Sequence, residues 1–283
     1  MTLSGIPIVS RAWVRNIFRR VITDDPHIRL YHTARYILAE VFGEDWINEN
    51  VGPARPPGGF LKNAFANETD AAAHFMRVTT LAEMILNLQR ISGYSECASQ
   101  LKTAAQIEST FAELEVGKLL YLYGIPFEFN TRTFVKTEDY DLHIWCRNGR
   151  EAFADTKCKL ETGAPSENTI LNSLKQARTQ LPPRQPGIVF LKVPRAWIED
   201  ENYTAALAEI AIGFMRTTRR VVSVKFYTTS VPVDADSMGE VIAVREITTP
   251  RTDFGAGLDW NLFPNVAVDP GALMVGADWF RLA

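Results

Sequence analysis

The apolar residues of this chain change their spacing near residue 106, and this change restricts the folds open to the chain. From about residue 10 to residue 105 they recur every three or four positions, as in "HTARYILAEVF" and "RVTTLAEMILNLQRISGY", which is typical of amphipathic helices. A Pro/Gly-rich stretch, "NVGPARPPGGF" around residues 51–60, cannot continue any helix. The sequence predicts an all-helical N-terminal subdomain over residues 1–105 and a second domain over residues 106–283.

The second domain begins with a helix and continues with strands. The segment "IESTFAELEVGKLLYLYG" ends in a glycine, as helices commonly do, and strand-like "IPFEFNTRTFV", "YDLHIWC" and "EAFADTKCK" follow it. A helix in "ENTILNSLKQARTQL" and a buried strand in "GIVFLKV" come next. Another helix, "YTAALAEIAIGFMRTTRR", precedes two further strands. The order helix, three strands, helix, strand indicates an α/β fold.

The charge balance and the cysteines exclude several classes of protein. With 30 basic and 33 acidic residues the formal net charge is −3, so any grip on a polyanion must come from a local basic patch. Cys97, Cys146 and Cys158 lack C-x-x-C spacing, which argues against a zinc site or a disulfide framework. No apolar run is long enough to span a bilayer, and the N-terminus lacks the apolar core of a signal peptide. We therefore expect a cytoplasmic protein with no membrane partner.

The stretch "DYDLHIWCRNGREAFADTKCKLE" is a predicted hairpin that gathers charged residues. Lys157 projects from the same face as Asp155, because side chains alternate along a strand. With a two-residue "NG" turn Asp155 would pair with Leu142, whereas a three-residue "RNG" loop ending in a left-handed glycine would set Asp141 opposite Asp155. The turn residues alone do not show which of these two turns forms. We predict the second register, because opposed carboxylates are destabilising unless a cation lies between them.

Two carboxylates and an ammonium form a suitable set for hydrolysing a phosphodiester. Carboxylate oxygens can hold one or two magnesium ions. A metal ion polarises the phosphoryl oxygen and lowers the pKa of bound water, and a lysine can orient that water or neutralise the phosphate. Asp141, Asp155 and Lys157 are therefore candidate catalytic residues.

The helix before the hairpin supplies a possible further member. Glu115 lies in the middle of its apolar stripe, where a carboxylate is expensive to bury without a partner. A structural ion pair, with Lys157 for example, explains Glu115 as well as a catalytic role does. Glu108 shares that face but lies near the helix start, where an acidic residue favours the macrodipole. Glu113 points away from the stripe.

These residues resemble the PD-(D/E)xK nuclease superfamily. The resemblance rests on the element order, an acidic residue in the first helix, Asp141 at the second strand and Asp-Thr-Lys on the third, and it covers roughly residues 106–193. It implies a restriction-endonuclease-like αβββαβ core, with a mixed central sheet flanked by helices. Tyr140 replaces the proline usual before the first aspartate, and Asp155 replaces the commoner glutamate.

The resemblance also implies roles for individual residues. Asp141 and Asp155 would bind Mg²⁺ or Mn²⁺, with the backbone carbonyl of Thr156 as a further ligand, and Lys157 would act at the water or the phosphate. Glutamines on the next helix assist in some branches of the superfamily. The candidates for contact with nucleic acid are Lys159, Gln176 and Gln180.

The expected function is that of a metal-dependent nuclease acting on nucleic acid, DNA in particular. Because one such site cuts one strand, a homodimer would suit paired cuts. Two alternatives stay open: a catalytically silent nuclease-like fold that binds nucleic acid or supports assembly, and an α/β interaction module whose D-x-K tripeptide is accidental. A separate pattern, "SRAWVRNIFRRVI", sets Arg11, Arg15 and Arg19 on one helical face, which could contact phosphate or membrane or be an ordinary solvated surface.

Overall fold

The computed structural model describes residues 5–52, 60–62, 68–131, 137–159, 166–230, 240–248, 254, 260–263 and 274–275. Helices form its N-terminal part. The Ser10 hydroxyl caps the first by accepting the Trp13 amide at 3.1 Å, and Asp25 caps the second, which starts with a proline. These helices are α1 (Arg11–Arg20), α2 (Pro26–Phe42), α3 (Glu44–Asn50), α4 (Glu68–Leu88) and α5 (Tyr94–Ser99).

Helix α6 (Ile107–Leu122) lies between the N-terminal helices and the sheet. Its residues 110–120 are all buried, so it has no solvated face over that span. Lys118 on α6 forms a buried ion pair with Glu83 on α4, with 2.7 Å between Nζ and Oε2. Gly124, just beyond the helix, has a φ of +62°, the conformation in which glycine ends many helices.

Within the described residues, seven strands form one mixed sheet in sequence order. The first three strands pair antiparallel, the third, fourth and fifth pair parallel, and the remaining strands pair antiparallel. The strands are β1 (Phe127–Phe129), β2 (Leu142–Trp145), β3 (Glu151–Cys158), β4 (Gly187–Lys192), β5 (Val221–Ser230), β6 (Glu240–Thr248) and β7 (Met274–Val275). The helices between them are α7 (Glu167–Gln180), α8 (Arg195–Glu199) and α9 (Glu201–Arg216).

The central strand β4 is buried on both faces and separates two hydrophobic clusters. Ile188 and Phe190 belong to the cluster that includes α2, α4 and α6. Val189 and Leu191 belong to the other cluster, together with residues of α7, α8 and α9. This alternation follows from the two-residue period of a strand. It gives the sheet a helical layer on each side.

The hairpin of β2 and β3 has the register that we predicted. Leu142 pairs with Ala154, and the ladder continues to the turn. Cys146 and Arg150 close a three-residue loop: the Cys146 amide donates to the Arg150 carbonyl at 2.8 Å. Gly149 in that loop has a φ of +75°. The three-residue turn, with its glycine in the left-handed region, is confirmed.

Substitution of Gly149 by valine should lower the free energy of unfolding by about 1–2 kcal/mol, because a left-handed conformation is unfavourable for a residue with a Cβ. A Cβ at this position would meet nothing within 4 Å, so the effect is confined to the backbone. Urea denaturation measures it. Gly149→Asn is the control and should lose less, because asparagine tolerates positive φ; equal losses for both variants would contradict this explanation.

The fold expected from the sequence is confirmed. The described core has the order αβββαβ in a mixed sheet flanked by helices, preceded by a helical part, and is compatible with a nuclease-like fold. No helix in the described part of the chain is long and apolar enough to cross a membrane. Residues 53–59 of the predicted Pro/Gly-rich loop and residues 132–136 of the first strand-like stretch lie outside the described residues.

The domain boundary near residue 105 stays a prediction. Buried residues from both sides of it belong to one continuous cluster, for example Ile37 and Leu81 from the helical part and Leu114 and Ile144 from the α/β part. The two parts therefore share a core.

Candidate functional site

A polar cavity of about 420 Å³ opens where β3 ends, between α6 and α7. Asp141, Lys157 and Thr156 line it from the hairpin, Glu113 from α6, and Gln180 from α7. The cavity therefore brings together side chains from the hairpin, α6 and α7. All of these residues except Glu113 are ones that the sequence singled out.

Contacts with the backbone fix Asp141 at the open end of the hairpin, directly before β2. Its amide donates to the Ala154 carbonyl at 2.9 Å, and its carboxylate Oδ2 accepts the Thr156 amide at 2.6 Å. The segment before it is held by Asn130, whose side-chain amide donates to the carbonyls of Glu138 and Tyr140 at 2.8 and 2.9 Å. The Asp141 carboxylate thus lies directly beside the Asp-Thr-Lys segment of β3.

Asp155 and Lys157 form an ion pair, with 2.6 Å between Oδ2 and Nζ. Asp155 is fully buried, and a buried carboxylate is tolerated when a cation and hydrogen bonds compensate its lost hydration. Lys157 also donates to Oε1 of Gln180 at 2.6 Å. The lysine therefore links β3 to α7, and its ammonium lies between a buried acid and the cavity.

Thr156 contributes a polar atom without a partner. The residue is 7% exposed and lines the cavity, and its hydroxyl has no hydrogen-bond partner in the part of the chain that the structure describes. Such an atom is unfavourable unless a water, an ion or a ligand reaches it. The hydroxyl atom itself is buried, so it does not face the open cavity.

Glu115 does not line this cavity. It is fully buried and pairs with Lys192 of β4, with 2.6 Å between Oε2 and Nζ. The predicted inward position of Glu115 is correct, and its partner is Lys192 rather than Lys157. The structure separates it from the residues that gather around Asp141.

Two other glutamates of α6, Glu108 and Glu113, line the cavity instead, although the sequence did not indicate a role in the site for either. Glu113 is 6% exposed, and its Oε2 accepts a weak hydrogen bond from the Cys97 thiol at 3.5 Å. Glu108 accepts one from the Cys158 thiol at 3.5 Å. Burial, then the charges of Glu108 and Glu115, raise the pKa of Cys158 well above its ordinary value, against the opposing effect of Lys192. At neutral pH this cysteine is a protonated thiol and not a nucleophile.

The predicted nucleic-acid contacts from β3 and α7 all border the cavity. Gln176 and Gln180 lie four residues apart on α7 and so share one face. Lys159 follows the end of β3, where its amide donates to the Lys192 carbonyl at 2.8 Å. These three residues and Lys157 border a cavity that is also lined by the acids Glu108, Glu113, Asp139 and Asp141.

Asp141 is an oxygen donor at the cavity wall that could take part in binding a hard divalent cation. It is the carboxylate of the predicted ligand set that lines the cavity, and the Thr156 carbonyl is a further oxygen donor on the adjacent strand, whereas Asp155 is fully buried beside Lys157 and does not line the cavity. In the described residues no group of three or more His, Cys, Asp or Glu side chains is arranged to hold a metal ion. Magnesium does not require such a group, because it is commonly held by one or two carboxylates together with water and substrate phosphates.

Comparison with known proteins adds little to this geometry. No family model matches the chain, and no curated protein matches it. The solved structures include SfsA of Pyrococcus furiosus in complex with Ca²⁺, which is similar over 54% of this chain at 15% identity and a TM-score of 0.24. The match spans 65% of the SfsA chain, just under two thirds of its length. A likeness at this level establishes neither a fold nor an activity for this protein.

Proposed function

We propose that this protein is a metal-dependent nuclease that hydrolyses phosphodiester bonds, with DNA as its substrate. The observation that carries the proposal is the contact between the Asp141 carboxylate and the Thr156 amide at 2.6 Å. It sets one acid beside a strand segment that bears a second acid and a lysine, at the wall of an open polar cavity. Acids at that spacing with a lysine suit metal-assisted hydrolysis.

Asp141, Asp155 and the Thr156 carbonyl would hold Mg²⁺ or Mn²⁺. When bound, the metal would supply Lewis acidity at a phosphoryl oxygen and a lowered pKa for its water. Asp141 contributes charge at a fixed position, because two backbone contacts hold it. Lys157 can donate to a water or to a phosphate oxygen, and Gln180 keeps its ammonium beside the cavity.

The acidic residue of the first helix is better assigned to Glu113 than to Glu115. Glu113 lines the cavity with Asp141, whereas Glu115 is paired with Lys192. Glu113 is accordingly our candidate for the helix member of the site.

The charge of the cavity supports a requirement for metal. Four acids, Glu108, Glu113, Asp139 and Asp141, line it together with two lysines, Lys157 and Lys159, so acids outnumber lysines among the charged residues that the structure describes there. A nucleic-acid phosphate entering such a cavity would be repelled unless divalent cations offset the carboxylates. We therefore place nucleic-acid contact at the rim, at Lys159, Gln176 and Gln180.

A silent nuclease-like fold is the second candidate, favoured by one observation. Asp155 has no exposed surface, and the Lys157 ammonium is already 2.6 Å from its Oδ2. A cationic group thus already lies beside this acid. In that case the fold would bind nucleic acid or support an assembly without cleavage.

Cleavage of a defined panel of substrates distinguishes the two candidates. Plasmid, linear duplex, single-stranded DNA and RNA are incubated with the protein and Mg²⁺, Mn²⁺ or EDTA, while calorimetry follows metal binding. The nuclease should cut DNA with either metal and lose all activity in EDTA, and activity should return when excess Mg²⁺ is added. Metal binding without cleavage of any substrate would favour the silent fold, and absence of both would reject the nuclease.

A further inference from the structure

We infer that α1 and the start of α2 carry a second surface for nucleic-acid phosphates, separate from the cavity at the hairpin. The arginine surface consists of Arg11, Arg15, Arg19, Arg20 and Arg29. The first four are exposed and lie on one short helix that contains no acidic residue. The inference rests on the proposed function for the choice of nucleic acid as the polyanion.

The packing of α1 fixes which of its faces meets solvent. Val14 is 1% exposed, and Trp13 and Phe18 pack against the hydrophobic core of the helical part. The arginines at positions 11, 15 and 19 follow each other at four-residue spacing, so they form one row on the outer side of the helix. Because the apolar face is already occupied by the core, α1 is not free to insert into a membrane, as an interfacial helix must.

The row of arginines is not explained by contacts within the protein. Arg11 donates to the side-chain oxygen of Asn87 at 2.9 Å. Arg15, Arg19 and Arg20 form no ion pair within the described ranges. Like charges at four-residue spacing weaken a helix, so an ordinary solvated helix would be expected to intersperse acids. An external polyanion would offset this repulsion.

The surface includes a cleft of about 440 Å³ between α1 and α2. Arg15, Arg19 and Arg29 line it, and Asp24 is the acidic residue there. Arg29 is held in place by the Thr23 carbonyl, to which it donates, and by the Phe18 ring, 5.5 Å from its guanidinium carbon. A guanidinium group fixed in this way, as that of Arg29 is, suits phosphate, which it can bind through paired hydrogen bonds.

The length of the row matches a nucleic-acid strand. From Arg11 to Arg19 the helix rises about 12 Å, a distance over which one strand of duplex DNA presents three or four phosphates. The chain as a whole has a net charge of −3, so overall charge does not draw it to DNA. A local surface of this kind is what such a chain needs for binding a polyanion.

Fluorescence anisotropy with labelled duplex DNA in EDTA tests the surface without cleavage. The full-length variant Arg15→Gln/Arg19→Gln should bind on the order of tenfold more weakly, and the slope of log K against log [salt] should become shallower by about two. The control Arg150→Gln/Arg216→Gln removes the same charge at two exposed positions outside this surface. This control variant should leave the DNA affinity and the salt slope near their wild-type values.

Three outcomes would overturn the inference: an unchanged affinity and slope for the α1 variant, an equal loss in the control, or α1-dependent binding to anionic phospholipid vesicles in place of DNA. Circular dichroism and thermal melting establish that both variants fold. The proposed nuclease activity and the proposed arginine surface can each be rejected without rejecting the other. Absence of cleavage with arginine-dependent binding would leave the surface standing, whereas cleavage with unchanged binding would leave only the nuclease.

Discussion

Replacement of Asp141 by asparagine should lower the rate of Mg²⁺-dependent DNA cleavage on the order of 10³-fold while the protein stays folded. The Asp141 carboxylate accepts the Thr156 amide at 2.6 Å, and an asparagine side-chain oxygen can accept the same hydrogen bond. The local backbone is therefore preserved. What is lost is the negative charge that a metal ion requires, which is why the expected effect falls on activity and metal affinity rather than on stability.

Glu138→Gln is the matched control for this variant. Glu138 is exposed three residues earlier in the same segment, and the segment is held through its backbone carbonyl. The control removes one negative charge near the site without touching the cavity wall, so cleavage should stay within about threefold of wild type. Cleavage by Asp141→Asn at the wild-type rate would show that another protein in the preparation cuts the DNA, or that Asp141 is not a ligand. Thermal melting of both variants shows that they are folded, so that a loss of cleavage cannot be attributed to unfolding.

The register of the hairpin could be predicted from the sequence because the two candidate turns had different electrostatic consequences. Only the three-residue loop brought Asp141 next to the Asp155 strand position. The structure has that loop, with Gly149 at a φ of +75° and Leu142 paired with Ala154. Alternation along β3 then placed Lys157 on the side of Asp155, where the two form an ion pair. Local geometry sufficed for this part of the candidate site.

The helix acids could not be predicted in the same way. An apolar stripe identifies the buried face of a helix that has one solvated side, but α6 is buried at every position from 110 to 120. Glu113, off the stripe, faces the cavity rather than solvent. Glu115, on the stripe, meets Lys192, which is 77 residues away in sequence. Both outcomes depend on which elements pack against α6, and no local pattern contains that information.

Removal of the Glu115 charge should strongly destabilise the protein. Glu115 has no exposed surface, Lys192 is 5% exposed, and the two are 2.6 Å apart. Glu115→Leu leaves a buried ammonium near an apolar side chain, and breaking a buried pair in this way costs about 3–5 kcal/mol. Urea denaturation should show a loss of that size for Glu115→Leu and for Lys192→Met.

The double variant Glu115→Leu/Lys192→Met shows whether this ion pair has a structural or a catalytic role. With both charges removed no buried ion is left uncompensated, so its free energy of unfolding should exceed that of either single variant, within about 1–2 kcal/mol of wild type. Losses that simply add would show that the two side chains do not interact. If the double variant is stable and still cleaves DNA, the pair is structural and Glu113 is left as the helix acid of the site. A stable double variant without cleavage would return Glu115 to the catalytic set, because stability could no longer explain the lost activity.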